Sequence, residues 1–278
     1  MPAGAVRAGD GVATLPRVDA DRRGQLDAAG YLVLRREIDP VPLSAEVDAV
    51  LRDAFAAEDH VNAGAVGNRF RYVPMMCERT PVSLDLVVRF AALAEELLGA
   101  SVLPGRAKGT EYVGSTPWHR DADGAVRSIG IAAYLEPLQR ASGGLQVRPG
   151  SHRGAHIGGA VALTTEPGDV VAFDERLFHA SEGGGTRRQW RVDFVADVVD
   201  VADVAGGAGA LRRYYADQYP SGWDGGYDVE RYPSYGAHWR SIDERWNARL
   251  GALGAYAAAA AHEASVRRAR KAAGGAGR

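Results

Sequence analysis

Hydrophobic and polar residues follow two rhythms along the chain. Over the first hundred residues the spacing is mostly helical. Asp21 to Ala29 reads as a short helix, and Tyr31-Leu-Val-Leu-Arg35 as a strand closed by an Asp39-Pro40 turn signal. Ser44 suits the N-cap of a following helix, along which Val47, Val50, Leu51 and Phe55 recur at helical spacing. Thr80-Pro81 opens a second long helix, with proline in the first turn. Its apolar stripe of Leu84, Val87, Val88, Ala91, Ala94 and Leu98 is widened by Leu86, Phe90, Leu93 and Leu97. A stripe that wide predicts a well-buried helix, and Gly99 closes it.

From about residue 101 the rhythm shortens. Apolar runs at 101–104, 109–113, 128–135, 144–147, 161–164, 169–173 and 190–199 alternate with Gly, Pro and Ser clusters. Short strands so closely spaced predict a β-sandwich or barrel, not a βαβ series. After Asp200 the chain turns aromatic, with Tyr214, Tyr215, Trp223 and Trp239 among others. That stretch is expected to be partly irregular and packed on the barrel as ordinary core, with a lid or dimer contact as the alternative. Residues 241–271 read as helical and drift into the basic run Arg267-Arg-Ala-Arg-Lys271, expected to be solvated. No internal repeat and no long linker break the pattern. The expectation is one mainly β domain with flanking helices over residues 1–278. It divides into a loose arm (1–17), a helical layer with the first strand (18–100), a β core (101–200) and a C-terminal cover (201–278).

Composition narrows the function classes. With 278 residues, 46% hydrophobic and 24% charged, the chain can bury a sizeable core. Its 33 basic and 35 acidic side chains give a net charge of −2, which exerts no general pull on nucleic acid or anionic membrane. The expected partner is a small-molecule substrate, held by local groups. No apolar run approaches the roughly 20 residues needed to span a bilayer. Met1 to Arg17 lacks the apolar centre of a signal peptide. A lone Cys77 excludes an intramolecular disulfide, argues against a thiolate zinc site and fits a cytoplasmic location. Nothing in the sequence fixes an oligomeric state.

The candidate chemistry sits in Trp118-His119-Arg120-Asp121. Residues i and i+2 of an extended strand share a face, so His119 and Asp121 can offer an imidazole and a carboxylate to one ion. His179 follows 58 residues after Asp121, just past the apolar run Val170-Val-Ala-Phe173. Two imidazoles and one carboxylate leave three octahedral positions open, the facial arrangement used for iron(II) oxygen chemistry. A His-x-Asp pair alone is common and can be a structural hydrogen bond; order and surroundings give it weight.

Those surroundings resemble the phytanoyl-CoA dioxygenase family. Thr116-Pro-Trp-His-Arg-Asp121 is similar to the family's first metal motif. Gly143-Gly-Leu-Gln-Val-Arg-Pro-Gly-Ser-His152 resembles its hairpin, and Pro167-Gly-Asp-Val-Val-Ala-Phe173 the strand leading to the distal histidine. Gly30-Tyr-Leu-Val-Leu34 resembles its first strand. The matches run in family order over residues 20–200. The resemblance implies a double-stranded β-helix (a jelly roll, cupin-like). It implies iron(II) on His119, Asp121 and His179, with 2-oxoglutarate and dioxygen as co-substrates and succinate and carbon dioxide as products. It also implies an arginine, about eleven residues past the distal histidine, for the far carboxylate of 2-oxoglutarate. Trp190 stands at that place, with Arg191 one residue later and Arg188 two earlier. Arg191 is favoured because it opens the run Val192-Asp-Phe-Val195; Arg188 is the alternative, with Arg187 and Arg188 assigned to a loop. Thr110 and Tyr112, sharing a strand face with Lys108, are further candidates for that co-substrate.

Arg69, Arg71, Trp118 and Arg127 are candidate substrate contacts, with a surface or packing role as the plain alternative. His152 is expected to satisfy backbone in its Pro-Gly turn, His156 to sit in an exposed loop, and Arg120 to be structural. The expected activity is hydroxylation of a C–H bond in a small or medium-sized molecule of bacterial secondary metabolism. Asp121 argues against halogenation, where a small residue replaces the carboxylate. Epimerisation, cyclisation, desaturation and acyl-CoA hydroxylation remain alternatives. So do a non-catalytic jelly-roll binding protein and a cupin-like zinc hydrolase.

Overall fold

Two antiparallel sheets face each other, and helices cover the larger one. The computed structural model describes residues 20–56, 60–64, 66–154, 158–197, 207–219 and 226–275. The expected N-terminal arm, His156 and Trp223 lie outside them.

Helix α1 (Ala20–Ala29) leads into strand β1 (Tyr31–Leu34). The joint is Gly30, whose φ of 84° lies in the left-handed region. A Cβ there would stand 2.5 Å from His152 Nδ1, so the joint and the histidine turn are packed together. Helix α2 (Pro40–Ala54) starts earlier than expected. Asp39, not Ser44, is its N-cap: Val41 N–H donates to Asp39 Oδ1, and Pro40 fills the first-turn position. The Asp-Pro pair read as a turn is therefore a helix start. Strands β2 (Asn62–Ala63) and β3 (Arg69–Pro74) were not legible as strands; helix α3 (Pro81–Leu98) was, down to its left-handed Gly99 cap.

The core strands follow: β4 (Val102–Val113), β5 (Thr116–His119), β6 (Ser128–Tyr134), β7 (Ser142–Val147), β8 (Val161–Ala162), β9 (Val170–Asp174), β10 (His179–Gly183) and β11 (Thr186–Ala196). The larger sheet has the order β1-β9-β6-β11-β4-β3-β2, the smaller β5-β10-β7-β8. The two runs expected at 101–104 and 109–113 form one strand, β4. Pro104 lies opposite Phe194, beside a register shift between Val192 and Phe194, where a missing N–H is tolerated. Strand β11 begins four residues before the expected Trp190, so Arg187 and Arg188 are strand residues, not loop residues.

Alternation along β11 decides what each side chain meets. Trp190 faces the helices: its Nε1 donates to Ser83 Oγ at 2.8 Å, and its ring lies 6.0 Å from that of Phe90. Arg187, Gln189 and Arg191 face the other way, into the space between the sheets. The main apolar core lies between α2, α3 and the larger sheet; a smaller one, with Tyr134, Leu145, Val171, Phe173 and Leu177, lies between the sheets.

The C-terminal cover is more regular than expected. It comprises α4 (Gly207–Asp217), α5 (Ala237–Ile242), α6 (Glu244–Leu253) and α7 (Ala255–Gly275). Trp246 Nε1 ties α6 to Val102 O at 3.1 Å, and Arg249 pairs with Asp197 at 2.9 Å. Tyr214, Tyr215 and Trp239 are buried in this packing. Among the described residues no helix is long and apolar enough to cross a membrane.

Candidate metal centre and adjoining cavities

Strand β5 pairs antiparallel with β10, and the register sets His119 directly opposite His179. Their ring centroids are 4.2 Å apart. Asp121, two residues beyond His119, is held in place because its N–H and that of Ala122 both donate to Glu175 O, at 2.9 and 3.1 Å. One ligand atom from each of His119, Asp121 and His179 lies within 4.8 Å of the others. Both imidazoles are oriented by their far nitrogens: His119 Nδ1 lies 2.7 Å from Pro117 O, and His179 Nδ1 2.8 Å from Leu177 O. A carbonyl only accepts, so in the neutral ring Nδ1 carries the proton and Nε2 presents its lone pair inward. Each Nε2 faces Asp121: 3.2 Å from Oδ1 for His119, 3.5 Å from Oδ2 for His179.

The electrostatics suit a cation. Burial opposes the charged form of His119, but the Asp121 carboxylate outweighs it and raises the pKa above the ordinary 6.5. His179 is more deeply buried, and desolvation wins: its pKa falls. Burial would raise Asp121, yet Arg191 and the two histidines hold it well below the usual carboxylate range. Behind it lies a buried charge cluster. Arg191 donates from Nη1 to Asp121 Oδ2 (2.7 Å), from Nη2 to Glu175 Oε1 (2.7 Å) and from Nε to Asp193 Oδ1 (2.5 Å). Lys108 Nζ donates to Asp193 Oδ2 at 2.9 Å, and Tyr214 Oη to Glu175 Oε2 at 3.2 Å. Three carboxylates thus face two cations. Arg106, buried nearby, adds a third cation that acts on Asp193, while desolvation and the neighbouring carboxylates push Glu175 up.

Two adjoining cavities open onto the histidines of the triad, and a third, about 140 Å³ and walled by Ala122, Tyr214 and Asp217, reaches Asp121 from the α4 side. The larger, about 450 Å³, reaches His119 and Asp121 and is walled by Phe70, Tyr72, Tyr112 and Thr110. The smaller, about 130 Å³, reaches all three residues and is walled by Thr116, Tyr134, Ser181, Arg187 and Gln189. Arg187 is 3% exposed. Its Nη1 donates to Gly114 O at 2.6 Å, and its Nη2 to Thr116 Oγ1 at 3.3 Å and to Ser181 Oγ. Among the described residues no carboxylate pairs with it, and burial lowers its pKa.

The candidates from sequence divide accordingly. His119, Asp121 and His179 come together. Thr110 lines the larger cavity, and Tyr112 and Arg191 line both. Arg188 does not: it lies on the outer face, paired with Glu136 at 2.5 Å and with Asp48. Arg69, Arg71, Trp118 and Arg127 line neither cavity. Arg71 pairs with Glu111, Arg127 Nη1 donates to Leu98 O at 3.0 Å, and Trp118 packs on Phe178 and under Arg148. Period-two alternation turns Phe70 and Tyr72, not Arg69 and Arg71, to the cavity. His152 meets backbone, but that of α1 and not of its own turn, its Nε2 lying 3.1 Å from Asp27 O. Arg120 donates to Arg176 O and Ser151 O at 2.7 and 3.1 Å, and also lies at the larger cavity. Arg187, Gln189, Glu175 and Asp193 were missed. The available signal was alternation, which places 187, 189, 191 and 193 on one face once the strand starts at Thr186.

Comparison with known proteins agrees with this geometry. The profile of the phytanoyl-CoA dioxygenase family matches residues 26–191. No curated protein matches the chain. Among solved structures, EctD from S. alaskensis with 2-oxoglutarate and 5-hydroxyectoine aligns with a TM-score of 0.55 and 25% identity over 65% of this chain and 77% of EctD. EctD with bound Fe aligns over the same shares with a TM-score of 0.54. SnoN, a non-heme alpha-ketoglutarate-dependent epimerase from nogalamycin biosynthesis, aligns with a TM-score of 0.53 and 17% identity over 64% of this chain and 82% of SnoN, a likeness of fold. AviO1 from Streptomyces viridochromogenes Tue57 is alike in the same sense, with a TM-score of 0.50 and 21% identity over 67% and 98%. With a matching profile over more than half its length, the two-sheet jelly roll and the His-Asp-His cluster in place, the chain belongs to the phytanoyl-CoA dioxygenase family of iron(II)/2-oxoglutarate-dependent oxygenases.

Proposed function

We propose that the chain is an oxygenase that hydroxylates a C–H bond of a small or medium-sized organic substrate, with His119 Nε2, Asp121 and His179 Nε2 holding iron(II). One observation carries this reading: a two-histidine, one-carboxylate cluster opens onto two adjoining cavities, of which only the smaller reaches His179. Held by these three residues, iron(II) together with 2-oxoglutarate would supply the dioxygen-dependent oxidising chemistry that the side chains alone lack. The likeness to EctD, whose structures hold Fe and 2-oxoglutarate, supports the same pair here.

Each cavity then has an occupant. The smaller one suits 2-oxoglutarate. Its distal carboxylate meets Arg187, a buried guanidinium that has hydroxyl and carbonyl partners but no anion. Arg191, favoured by sequence, already has Nε, Nη1 and Nη2 each on a carboxylate, which leaves no free fork for a further anion. The larger cavity suits the substrate, and its 450 Å³ lies in the range of small-molecule sites. The protein's task is to seat that molecule beside the triad and to keep water from the reacting bond. Hydroxylation is the reading favoured over epimerisation, cyclisation and desaturation because EctD, at 25% identity, holds a hydroxylated molecule, 5-hydroxyectoine, together with 2-oxoglutarate, whereas the epimerase SnoN is 17% identical.

The test is an anaerobic titration with iron(II) and 2-oxoglutarate, read as a visible metal-to-ligand charge-transfer band. Wild type is expected to show the band, Asp121→Ala to lose it, and Arg187→Met to need roughly ten- to a hundredfold more 2-oxoglutarate, the loss of one charge-assisted interaction. Equal bands in wild type and Asp121→Ala would sink the site assignment. Product mass separates the reactions: one added oxygen for hydroxylation, two lost hydrogens for cyclisation or desaturation, no change for epimerisation.

A further inference from the structure

The triad explains which residues face the ion, but not which oxygen of Asp121 does. A free carboxylate can rotate and offer either oxygen, or both. Here Oδ2 is taken: Arg191 Nη1 donates to it at 2.7 Å. Oδ1 accepts no hydrogen bond from Arg191 and lies 3.2 Å from His119 Nε2, whereas Oδ2 stands 3.5 Å from His179 Nε2 with its bond to Arg191 already made.

Arg191 can do this because it is itself immobilised. Its Nε and Nη2 are clamped by Asp193 and Glu175, which are 1% and 3% exposed. Its guanidinium carbon stands 4.9 Å from the centre of the Phe173 ring. Gly130 lies close beneath it: a Cβ there would meet Phe173 at 2.9 Å and Arg191 Nη2 at 3.0 Å. The clamp extends outward. Lys108 holds the second oxygen of Asp193, and Tyr214 on α4 holds the second oxygen of Glu175. A planar, always-charged fork fixed on three sides presents one N–H pair in one direction.

Resting on the metal site proposed above, we propose that Arg191 is a positioning residue for the metal carboxylate: it occupies Asp121 Oδ2 and leaves Oδ1 to the ion. The C-terminal cover reaches the metal through it, along Tyr214, Glu175, Arg191 and Asp121. Partners behind metal ligands set affinity and geometry, and their loss typically weakens metal binding about 10- to 100-fold.

The experiment titrates wild type, Arg191→Gln and Arg191→Lys with cobalt(II) without 2-oxoglutarate, following the visible d–d bands. Arg191→Gln is expected to bind cobalt about 10- to 100-fold more weakly with an altered band envelope. Arg191→Lys should recover part of the affinity, since one ammonium keeps the charge without the fork. Arg187→Met should bind cobalt like wild type. Glu175→Gln and Asp193→Asn loosen the clamp by side chains that make no bond to Asp121, the Glu175 carbonyl that holds Asp121 N–H being kept, and carry the test if Arg191→Gln does not melt cooperatively. Each should weaken cobalt binding by a smaller factor and shift the bands. Wild-type affinity and bands in Arg191→Gln, or in both clamp variants, overturn the proposal, as does an Arg191→Gln protein that binds cobalt normally but loses 2-oxoglutarate. Absence of metal binding by wild type would instead overturn the site itself.

Discussion

Gln189 and Thr110 face each other across the β11–β4 ladder, and each carries a buried oxygen, Oε1 and Oγ1, with no hydrogen-bond partner among the described residues. Both side chains line the cavities beside the triad, Gln189 the smaller and Thr110 the larger. An unmatched buried polar atom is costly, and beside an open cavity it is completed by water or by a bound ligand. Thr110→Val and Gln189→Met should therefore leave the unliganded protein within about 1 kcal/mol of wild type in thermal or urea unfolding. Gln189→Met should bind 2-oxoglutarate more weakly in the anaerobic titration. Destabilisation beyond about 2 kcal/mol in either variant would mean that the oxygen is already satisfied.

Metal affinity should depend on pH, with a sign set by the two histidines. Metal ligands must be deprotonated, so protons compete with the ion. His119, raised above 6.5 by Asp121, takes the first proton as pH falls. His179, lowered by burial, takes its proton further down. Cobalt affinity should be flat in mild alkali, weaken by tenfold per pH unit once His119 protonates, and steepen again when His179 follows. Affinity independent of pH from mild alkali to below 6 would show that these imidazoles are not ligands.

Arg69 and Arg71 should be dispensable at the site. The Arg71–Glu111 pair is partly exposed, so Arg71→Ala should cost no more than about 1 kcal/mol in unfolding. Neither Arg69→Ala nor Arg71→Ala should alter the cobalt or 2-oxoglutarate titrations. A tenfold loss in either would place these side chains at the cavity after all.

These residues show where sequence reading succeeds and where it stops. His119 and Asp121 were legible as candidates from their i, i+2 spacing, although β5 ends at His119 and Asp121 lies in the bend beyond it. The polar inner face of β11, with Arg187 buried on it, was not. Trp190, Val192 and Phe194 make the apolar signal, but they belong to the face packed on the helices, and Trp190 bonds Ser83 there. The inner face is polar, Arg187, Gln189, Arg191 and Asp193, so a strand sought by hydrophobicity starts too late. The same parity error favoured Arg69 and Arg71, whose charge is conspicuous, over Phe70 and Tyr72. Helix α2 was misread at its cap because Asp-Pro signals both a turn and a helix start. The three carboxylates around Arg191 come from β5's end, β9's end and β11, a convergence set by tertiary pairing alone.

Asp169 should be a stability determinant remote from the chemistry. Its side chain is 3% exposed and accepts from Arg35 Nη1 (2.6 Å), Arg36 N (3.0 Å) and Glu166 N (3.0 Å). It thereby pins the turn after β1, where Arg36 adopts a left-handed φ of 52°, to the turn before β9. Burial would raise its pKa, but the three donors outweigh that and hold it below the ordinary 3.8. A depressed carboxyl contributes stability that is complete above its unfolded value and is lost as pH falls through the folded value. Asp169→Asn should therefore cost about 1–3 kcal/mol in urea unfolding at neutral pH, where a charged acceptor is exchanged for a neutral one. The gap between variant and wild type should close as the pH drops below 3.8 and the wild-type carboxyl protonates. A gap that stays constant across that range would show that the loss comes from packing, not from the carboxylate's charge.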